Sequence, residues 1–206
     1  MILQALCRYY DILKDEEQPN LSESSHSMAK VSFALVLSPY GDLINVIDLR
    51  VDGKKPTPQE MSVPFREVRS SGVAPYRLCD NSKYVFGVEK KDKTRSSTIS
   101  DSPPEEGETS DSLVTLRSKK CFEQFRCLHH DLFDDLELDS TRALLRFLDS
   151  WDPNGFYSHP KVSQYADDLL AGGNLVFEFE GKYLHEHAEI VQKLADRASR
   201  DRASGD

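Results

Sequence analysis

Residues 31–50 read VSFALVLSPYGDLINVIDLR, and this stretch decides the fold. Two runs rich in Val, Ile, Leu and Phe, Val31–Ser38 and Leu43–Arg50, flank the sequence Pro39–Asp42. Alternating aliphatic and aromatic residues on both sides of a Pro-Tyr-Gly-Asp turn are typical of a β-hairpin. We therefore predict a small, mainly antiparallel sheet built around hairpin 31–50.

The residues on either side of the hairpin extend this pattern. Ile2–Leu13 has apolar residues at helical spacing and predicts a helix, and the polar stretch Lys14–Lys30 predicts a loop. Tyr84–Val88 is short, aromatic and β-branched, which predicts a further strand. Residues 90–112 are almost devoid of aliphatic side chains, so we expect a disordered loop there, because the stretch buries too little apolar area to offset chain entropy.

From Leu113 onward the sequence becomes helical. We predict helices at Ser118–Phe133, from an N-cap at Ser140 or Asp139 to Trp151, at Val162–Leu170, and at Leu184–Ala203. One late strand, Leu175–Phe179, lies between glycines. The order of elements favours a mixed α+β fold in one domain, with a helical half after the sheet.

Charge is distributed unevenly along the 206 residues, which carry a net charge of −9. Residues 50–95 hold 11 Lys or Arg against 6 Asp or Glu (net +5), and the remainder holds 15 against 29 (net −14). An acidic chain argues against general nucleic-acid binding, but a basic segment on an acidic body confines anion binding to one place. The alternative is that these are scattered, solvated side chains.

The stretch Met61–Val88 concentrates these cations in a loop punctuated by Pro64, Gly72 and Pro75. Arginine forks onto phosphate or guanine, and Asn81 offers the donor and acceptor that reading a base edge requires. The plainer interpretation is a solvent-exposed connection in which Asn81 caps a turn. The candidate anion-contacting residues in this stretch are Arg66, Arg69, Arg77, Asn81 and Lys83.

Catalytic and metal motifs are weak. The sequence has no GxGxxG, GxxxxGK[ST] or GxSxG pattern. We interpret His185-Glu186-His187 as a surface cluster at a helix start rather than as a metal site. C-x5-C-x-H does not have zinc-finger spacing, and Cys121 is expected in the core because it shares a helix face with Phe125. Glu178 and Glu180 are expected on a solvated sheet face rather than in the site of a metal nuclease.

No cofactor, metal or membrane segment is expected. The four cysteines form no CxxC pair, no basic leader precedes the apolar start, and no apolar run reaches about 18 residues. We therefore expect a cytoplasmic protein with reduced thiols.

Several short segments together resemble one family, the large subunit of the type I-C CRISPR surveillance complex (Cascade). They span nearly the whole chain in the family's order, although none is a catalytic signature. The segments are Met1–Leu6, Tyr9–Tyr10, Val63–Pro64, Arg69–Pro75, Leu78–Asn81, Tyr84–Gly87, Phe147–Leu148, Trp151, Gly173–Phe177 and Tyr183–Glu186.

The resemblance implies that residues 1–206 correspond to the N-terminal domain of a longer large subunit. It implies a non-enzymatic role in antiviral defence in which the domain engages the protospacer-adjacent motif (PAM) of duplex DNA and helps assemble the complex, while guide pairing reads the remaining sequence. Implied partners are target duplex DNA, guide RNA, other Cascade subunits and a helicase-nuclease; a phage anti-CRISPR inhibitor is a further candidate.

Placed on the matched positions, the chemistry divides the candidate DNA-binding residues into two groups. Lys54, Lys55, Arg66 and Arg77 would hold phosphates. The residues expected to contact DNA close to the PAM bases are Arg69, Ser70, Ser71, Asn81 and Lys83. The rival hypothesis is a protein-interaction module that docks on neighbouring subunits or on the guide-RNA handle without touching DNA.

Overall fold

The structure, a computed structural model, describes residues 26–66, 69, 72–90 and 113–203. The predicted helix Ile2–Leu13 and residues 91–112 of the predicted disordered loop lie outside these residues. The strands are β1 (His26–Leu37), β2 (Leu43–Asp48), β3 (Gln59–Pro64), β4 (Cys79–Asn81), β5 (Asn174–Phe179) and β6 (Lys182–Tyr183). The α-helices are α1 (Ser82–Val85), α2 (Leu116–Phe133), α3 (Asp139–Ser150), α4 (Ala166–Leu169) and α5 (Ala188–Ala203).

The strands form one mixed sheet in the order β2-β1-β5-β4. β2 and β3 both pair antiparallel with β1, on successive parts of it, and β4 and β6 pair antiparallel with β5. β1 and β5 are parallel, from Val31 beside Asn174 to Leu37 beside Phe179. The predicted α+β class, the hairpin 31–50 and the late strand are confirmed.

The sheet buries apolar side chains on both faces. Phe33, Leu35 and Phe177 belong to the larger core, which also contains residues of α2 and α3. Ala34 and Val176 belong to a second, smaller cluster. Because successive strand residues point to opposite faces, this alternation separates the two clusters. A register shift between Val31 and Phe33 accompanies a change of face, since Val31 belongs to the smaller cluster.

The hairpin tip packs closely against α3. Gly41 has φ +90°, and a Cβ there would lie 2.4 Å from Arg146 Cβ and 2.8 Å from Phe147 N. Arg146 Nη1 donates to Pro39 O at 2.8 Å. Only glycine fits both the backbone conformation and the close approach, so the turn is fixed to the helical layer.

One predicted strand is wrong. Tyr84–Val88 does not extend the sheet, because Ser82–Val85 forms the short helix α1. Asn81 caps this helix by accepting a hydrogen bond from Lys83 N, and the turn ends at Gly87, whose φ is +71°. The aromatic and β-branched residues that suggested a strand fill the core instead, with Tyr84, Val85 and Phe86 all buried.

Two other predictions, for the start of β1 and for the cap of α3, are corrected by the structure, and one strand was not predicted. β1 begins at His26, so the predicted loop ends earlier than Lys30. β3 was not predicted, because its first residues, Gln59 and Glu60, are exposed and polar. α3 has Leu138 at its N-cap with no side-chain cap, since Thr141 Oγ1 bonds to Leu136 O and Leu138 O and fixes the entry instead.

The last two predicted helices are interrupted. The segment predicted as Val162–Leu170 consists of a 3-10 turn at Ser163–Tyr165 followed by the four-residue α4. A helix as short as α4 is marginal in water, so it depends on packing against the rest of the protein. Leu184–Glu186 is a 3-10 turn, and α5 begins only after the extended residue His187. No helix in the described part of the chain has the length and apolar character needed to cross a bilayer.

Candidate nucleic-acid interface

Arg69 lies at the centre of the loop between β3 and β4. Its guanidinium carbon is 3.7 Å from the centroid of the Tyr76 ring and 4.0 Å from that of Tyr84. Its Nε donates to Ala74 O, and its Nη2 donates to the carboxylate of Asp80. Stacking and hydrogen bonding together use both the faces and the edge of the guanidinium, which is well suited to both.

Asp80, the partner of Arg69, has no solvent exposure. It accepts hydrogen bonds from Tyr76 N and Asn81 N, both at 2.8 Å, as well as from Arg69. Burial raises the pKa of Asp80, and these hydrogen bonds oppose the rise by stabilising the charged form. Asp80 therefore ties the loop 72–76 to the start of α1.

His129 on α2 holds the same loop through a hydrogen bond to its backbone. Its Nδ1 donates to Phe125 O at 2.7 Å, which leaves Nε2 to accept from Leu78 N at 3.0 Å. Leu78 has φ +58°, a conformation that non-glycine residues rarely adopt. His129 has no solvent exposure, and burial lowers its pKa to about 4. The neutral imidazole thus holds a strained residue two positions before Asp80.

The sequence did not point to His129 as a supporting residue. Helical spacing places it on the buried side of α2 with Phe125 and Leu132, and that was the available signal. Its bond to Leu78 joins residues 51 positions apart, which no local pattern encodes.

Asn81 and Lys83 also have partners within the chain. The Asn81 side chain accepts from Lys83 N at 3.1 Å, as the capping alternative expected, and its amide nitrogen makes no hydrogen bond to any residue the structure describes. Lys83 Nζ lies 2.8 Å from a carboxylate oxygen of Glu89. Burial tends to raise the pKa of Glu89, but the bonds from Lys83 and Thr115 outweigh it and hold that pKa below its usual value.

The remaining candidate cations are more open. Lys54 and Lys55 are exposed in the turn closed by the Val51–Thr57 bridge. Arg66 is half-buried, with its guanidinium carbon 5.0 Å from the centroid of the Tyr76 ring. Neither these lysines nor Arg66 forms an ion pair with any of the described residues.

Three residues of the predicted DNA-binding set remain, namely Arg77, Ser70 and Ser71. Arg77 is half-buried and makes further contacts within the protein. Ser70 and Ser71 lie outside the described residues. Arg66, Arg69 and Asn81 are brought together around Tyr76 and Asp80, whereas Lys54 and Lys55 belong to a separate turn.

A further group of cations was not predicted. Arg117, Lys119 and Lys120 are exposed at the start of α2, within and directly after the capping box formed by Thr115 and Ser118. The signal was present in the sequence as a Thr-x-x-Ser cap that contains Arg117 and is followed by Lys119 and Lys120.

The residues considered as weaker metal-site candidates lie in separate environments in the structure. His185 is buried, which corrects its assignment to a surface cluster, and its ring stacks on Tyr183 with neither nitrogen hydrogen-bonded to a described residue. Cys121 is buried as expected. Glu180 lies in the turn between β5 and β6 with φ +51°. The described residues contain no group of three or more potential ligands placed to hold a metal ion.

Comparison with known protein families identifies the family of this chain. The sequence profile of a family described as CRISPR-associated protein (Cas_Csd1) matches residues 6–206, almost the entire chain. No curated protein matches the chain significantly.

Proposed function

Because the chain belongs to the CRISPR-associated Cas_Csd1 family, we propose that it is a non-enzymatic DNA-recognition domain of a type I-C Cascade. In this proposal the loop between β3 and α1 engages the PAM of target duplex DNA. The observation that carries the proposal is the corner at Asp80–Asn81, where a buried ion pair orders the backbone and leaves the Asn81 amide nitrogen without a partner among the described residues.

The candidate residues of this loop and of the separate turn 51–57 divide into three roles. Lys54, Lys55 and Arg66 supply positive charge for phosphates, with Arg77 as a fourth contact. Asn81, with Ser70 or Ser71, contacts base edges. Arg69 is a positioning residue, since its guanidinium is already bound to Asp80 and stacked between two tyrosines.

The capping role of Asn81 defines what kind of base contact it makes. Its side-chain oxygen is engaged by Lys83 N, so the group that remains to offer is the amide donor. A single donor recognises acceptor atoms such as a purine N7 or the minor-groove N3 and O2 atoms. We therefore expect discrimination at one base pair through one hydrogen bond rather than a bidentate contact to adenine.

The partners follow from the same assignment. In the assembled complex, pairing with the guide RNA supplies most of the affinity and sequence specificity, and the protein reads only the short PAM. Neighbouring Cascade subunits hold the domain in place, and a helicase-nuclease acts after target binding. Target recognition takes place in the cytoplasm of a prokaryotic cell.

The decisive experiment compares two substitutions of Asn81 in the assembled complex. Asn81→Ser keeps an oxygen that caps α1 and replaces the amide by a shorter hydroxyl that cannot reach the same base atom, whereas Asn81→Ala removes both the cap and the donor. Binding is measured on duplexes with the authentic PAM and with single-base variants of it. We expect both substitutions to reduce discrimination at one PAM position by about 0.5–1.5 kcal/mol, the usual contribution of one hydrogen bond, while only Asn81→Ala also lowers the stability of the domain.

Arg66→Ala is the matched control for phosphate contacts. It should weaken all duplexes alike and make the dependence of affinity on salt concentration shallower. Equal losses on every duplex for Asn81→Ser would refute base reading by Asn81.

One observation favours the rival hypothesis of a protein-docking module. Phe65, directly before Arg66, keeps 47% of its surface exposed, and exposed aromatic residues beside arginine are common in protein interfaces. A photocrosslinking residue in place of Phe65 in the assembled complex separates the two functions. Capture of DNA supports the proposal, and capture of a neighbouring subunit without DNA supports docking.

A further inference from the structure

The first turn of α2 is unusual in its charge. Arg117 and Lys119 are exposed there, the exposed Lys120 follows directly, and the turn contains no acidic residue. A helix N-terminus carries a positive partial charge, so each cation near it is disfavoured, typically by about 0.3–1 kcal/mol. None of the three forms an ion pair with the part of the chain that the structure describes. The arrangement therefore opposes helix stability, and folding does not explain it.

This turn is physically linked to the PAM-facing loop. Thr115, its N-cap, donates to Glu89 at 2.6 Å, and Glu89 also pairs with Lys83 at 2.8 Å. The backbone of Glu89 bonds to Leu113 at 3.0 Å, which holds the two segments side by side. Lys83 is two residues after Asn81, and α1 packs against α2, so the start of α2 lies close to the proposed base contact.

The charge of this surface is strongly positive. Residues 82–90 and 113–120 contain five lysines or arginines and one acidic residue, Glu89. Lys83 is paired with Glu89, and Arg117 acts on the same carboxylate from a longer distance, so four cations remain without an ion pair to a described residue. We call these four the α2 cationic surface; they are Lys90, Arg117, Lys119 and Lys120.

We propose that the α2 cationic surface binds the phosphate backbone of duplex DNA beside the PAM. This inference rests on the proposed function, because it extends the DNA path from the Asn81 corner onto α2. Phosphate contacts of this kind fix the register of a protein on DNA without reading sequence. They would hold the duplex while Asn81 tests one base pair.

Leu116 makes the proposal distinguishable from protein docking. It lies within the same turn and keeps 66% of its surface exposed. A protein partner would use such an apolar residue as an anchor, whereas a phosphate backbone would not.

The test uses the assembled complex with Arg117, Lys119 and Lys120 all changed to glutamine. Duplex affinity is measured across a series of salt concentrations, with authentic and altered PAMs. We expect affinity to fall at least about tenfold at low salt on every duplex, and the slope of log affinity against log salt to become shallower by about two to three, since each phosphate contact contributes about 0.9. Discrimination between PAMs should be unchanged.

Two controls accompany this variant. Lys182→Gln removes one exposed cation at the far end of β5 from Asn81 and should leave the slope unchanged. Leu116→Ala should leave duplex affinity unchanged. Size-exclusion chromatography of each variant reports whether the complex still contains all its subunits and its guide RNA.

Three results would overturn the inference. They are an unchanged salt slope in the triple variant, loss of guide RNA rather than of duplex affinity, and release of a subunit by Leu116→Ala. If the triple variant is silent while Asn81→Ser still lowers PAM discrimination, the proposed function stands without this surface. If neither variant changes duplex binding, both proposals fail.

Discussion

Two cationic regions of this protein look alike in sequence and differ in structure. Arg69 is stacked between Tyr76 and Tyr84 and bound to the fully buried Asp80. Lys54 and Lys55 are exposed in a short turn, with no ion pair to any described residue. The first region stabilises the protein, and the second has its charge available for a ligand. Basic residues that cluster in a sequence can therefore divide into positioning and contacting groups.

The two regions also differ in how strongly their charges affect the stability of the fold. A buried carboxylate depends on its partner, because an unpaired charge away from water is highly unfavourable. Exposed lysines are screened by water and salt, so they contribute little to folding. The effect of substitution on folding should therefore decrease from Arg69, through His129, to Lys54 and Lys55.

Arg69→Ala should have the largest effect. The substitution leaves Asp80 buried without its cation, and breaking one side of a buried pair typically lowers the free energy of unfolding by about 3–5 kcal/mol. Urea denaturation followed by circular dichroism measures this loss. Arg66→Ala, which removes a half-buried arginine with no ion pair to a described residue, is the control and should change the free energy of unfolding by less than about 1 kcal/mol. Similar losses for both variants would show that the Arg69–Asp80 pair does not stabilise the loop.

His129→Phe should have the next largest effect. It keeps an aromatic ring in the core but leaves Leu78 N without an acceptor, which typically costs about 1–3 kcal/mol. His185→Phe is the matched control, since His185 is also buried but its ring nitrogens make no hydrogen bond to any residue that the structure describes. Differential scanning calorimetry should show a lower Tm for His129→Phe and little change for His185→Phe.

The same two histidines make stability depend on pH. Burial lowers the pKa of each to about 4, below the ordinary value of about 6.5. The neutral rings therefore favour the folded state above pH 6.5, and this stability is lost as the pH falls towards 4, by up to about 3 kcal/mol per histidine. Urea titrations at pH 7, 5.5 and 4 should show a smaller loss in either Phe variant than in the wild-type protein. An equal loss in all three proteins would contradict this assignment.

Lys54→Ala with Lys55→Ala should have the smallest effect on folding. Surface substitutions of this kind usually change the free energy of unfolding by no more than about 0.5 kcal/mol. In the assembled complex, the same double variant should weaken duplex binding and make its salt dependence shallower. A large stability loss with unchanged DNA binding would place these lysines with Arg69 rather than with the contacting group.

Local sequence patterns predicted the parts of the fold that depend on local interactions. Hairpin 31–50 was predictable because its strands and turn lie within twenty residues, and α2 was predictable from its apolar spacing. β3 was missed because its first residues are polar and exposed. Tyr84–Val88 was assigned to a strand because its composition suits one, but the Asn81 cap and the surrounding core favour a helix.

The candidate site shows the same division. The loop containing Arg69 and Asn81 stood out in sequence through its charge and its turn residues. The pairing of Arg69 with Asp80 was not predictable, because it depends on the path of the chain between two residues that are 11 positions apart. The base-contacting roles assigned to Ser70, Ser71 and Asn81 remain predictions.

The parallel pairing of β1 with β5 has a consequence for synthesis. The two strands are separated by more than a hundred residues, so during translation β1 has β2 and β3 on one side while its other edge lacks a partner until residue 179 has been made. Contacts of such sequence separation slow folding, and unpaired strand edges favour aggregation. We expect nascent chains that stop before residue 174 to require chaperones, and expression to be more sensitive to truncation after α3 than to deletions within residues 91–112.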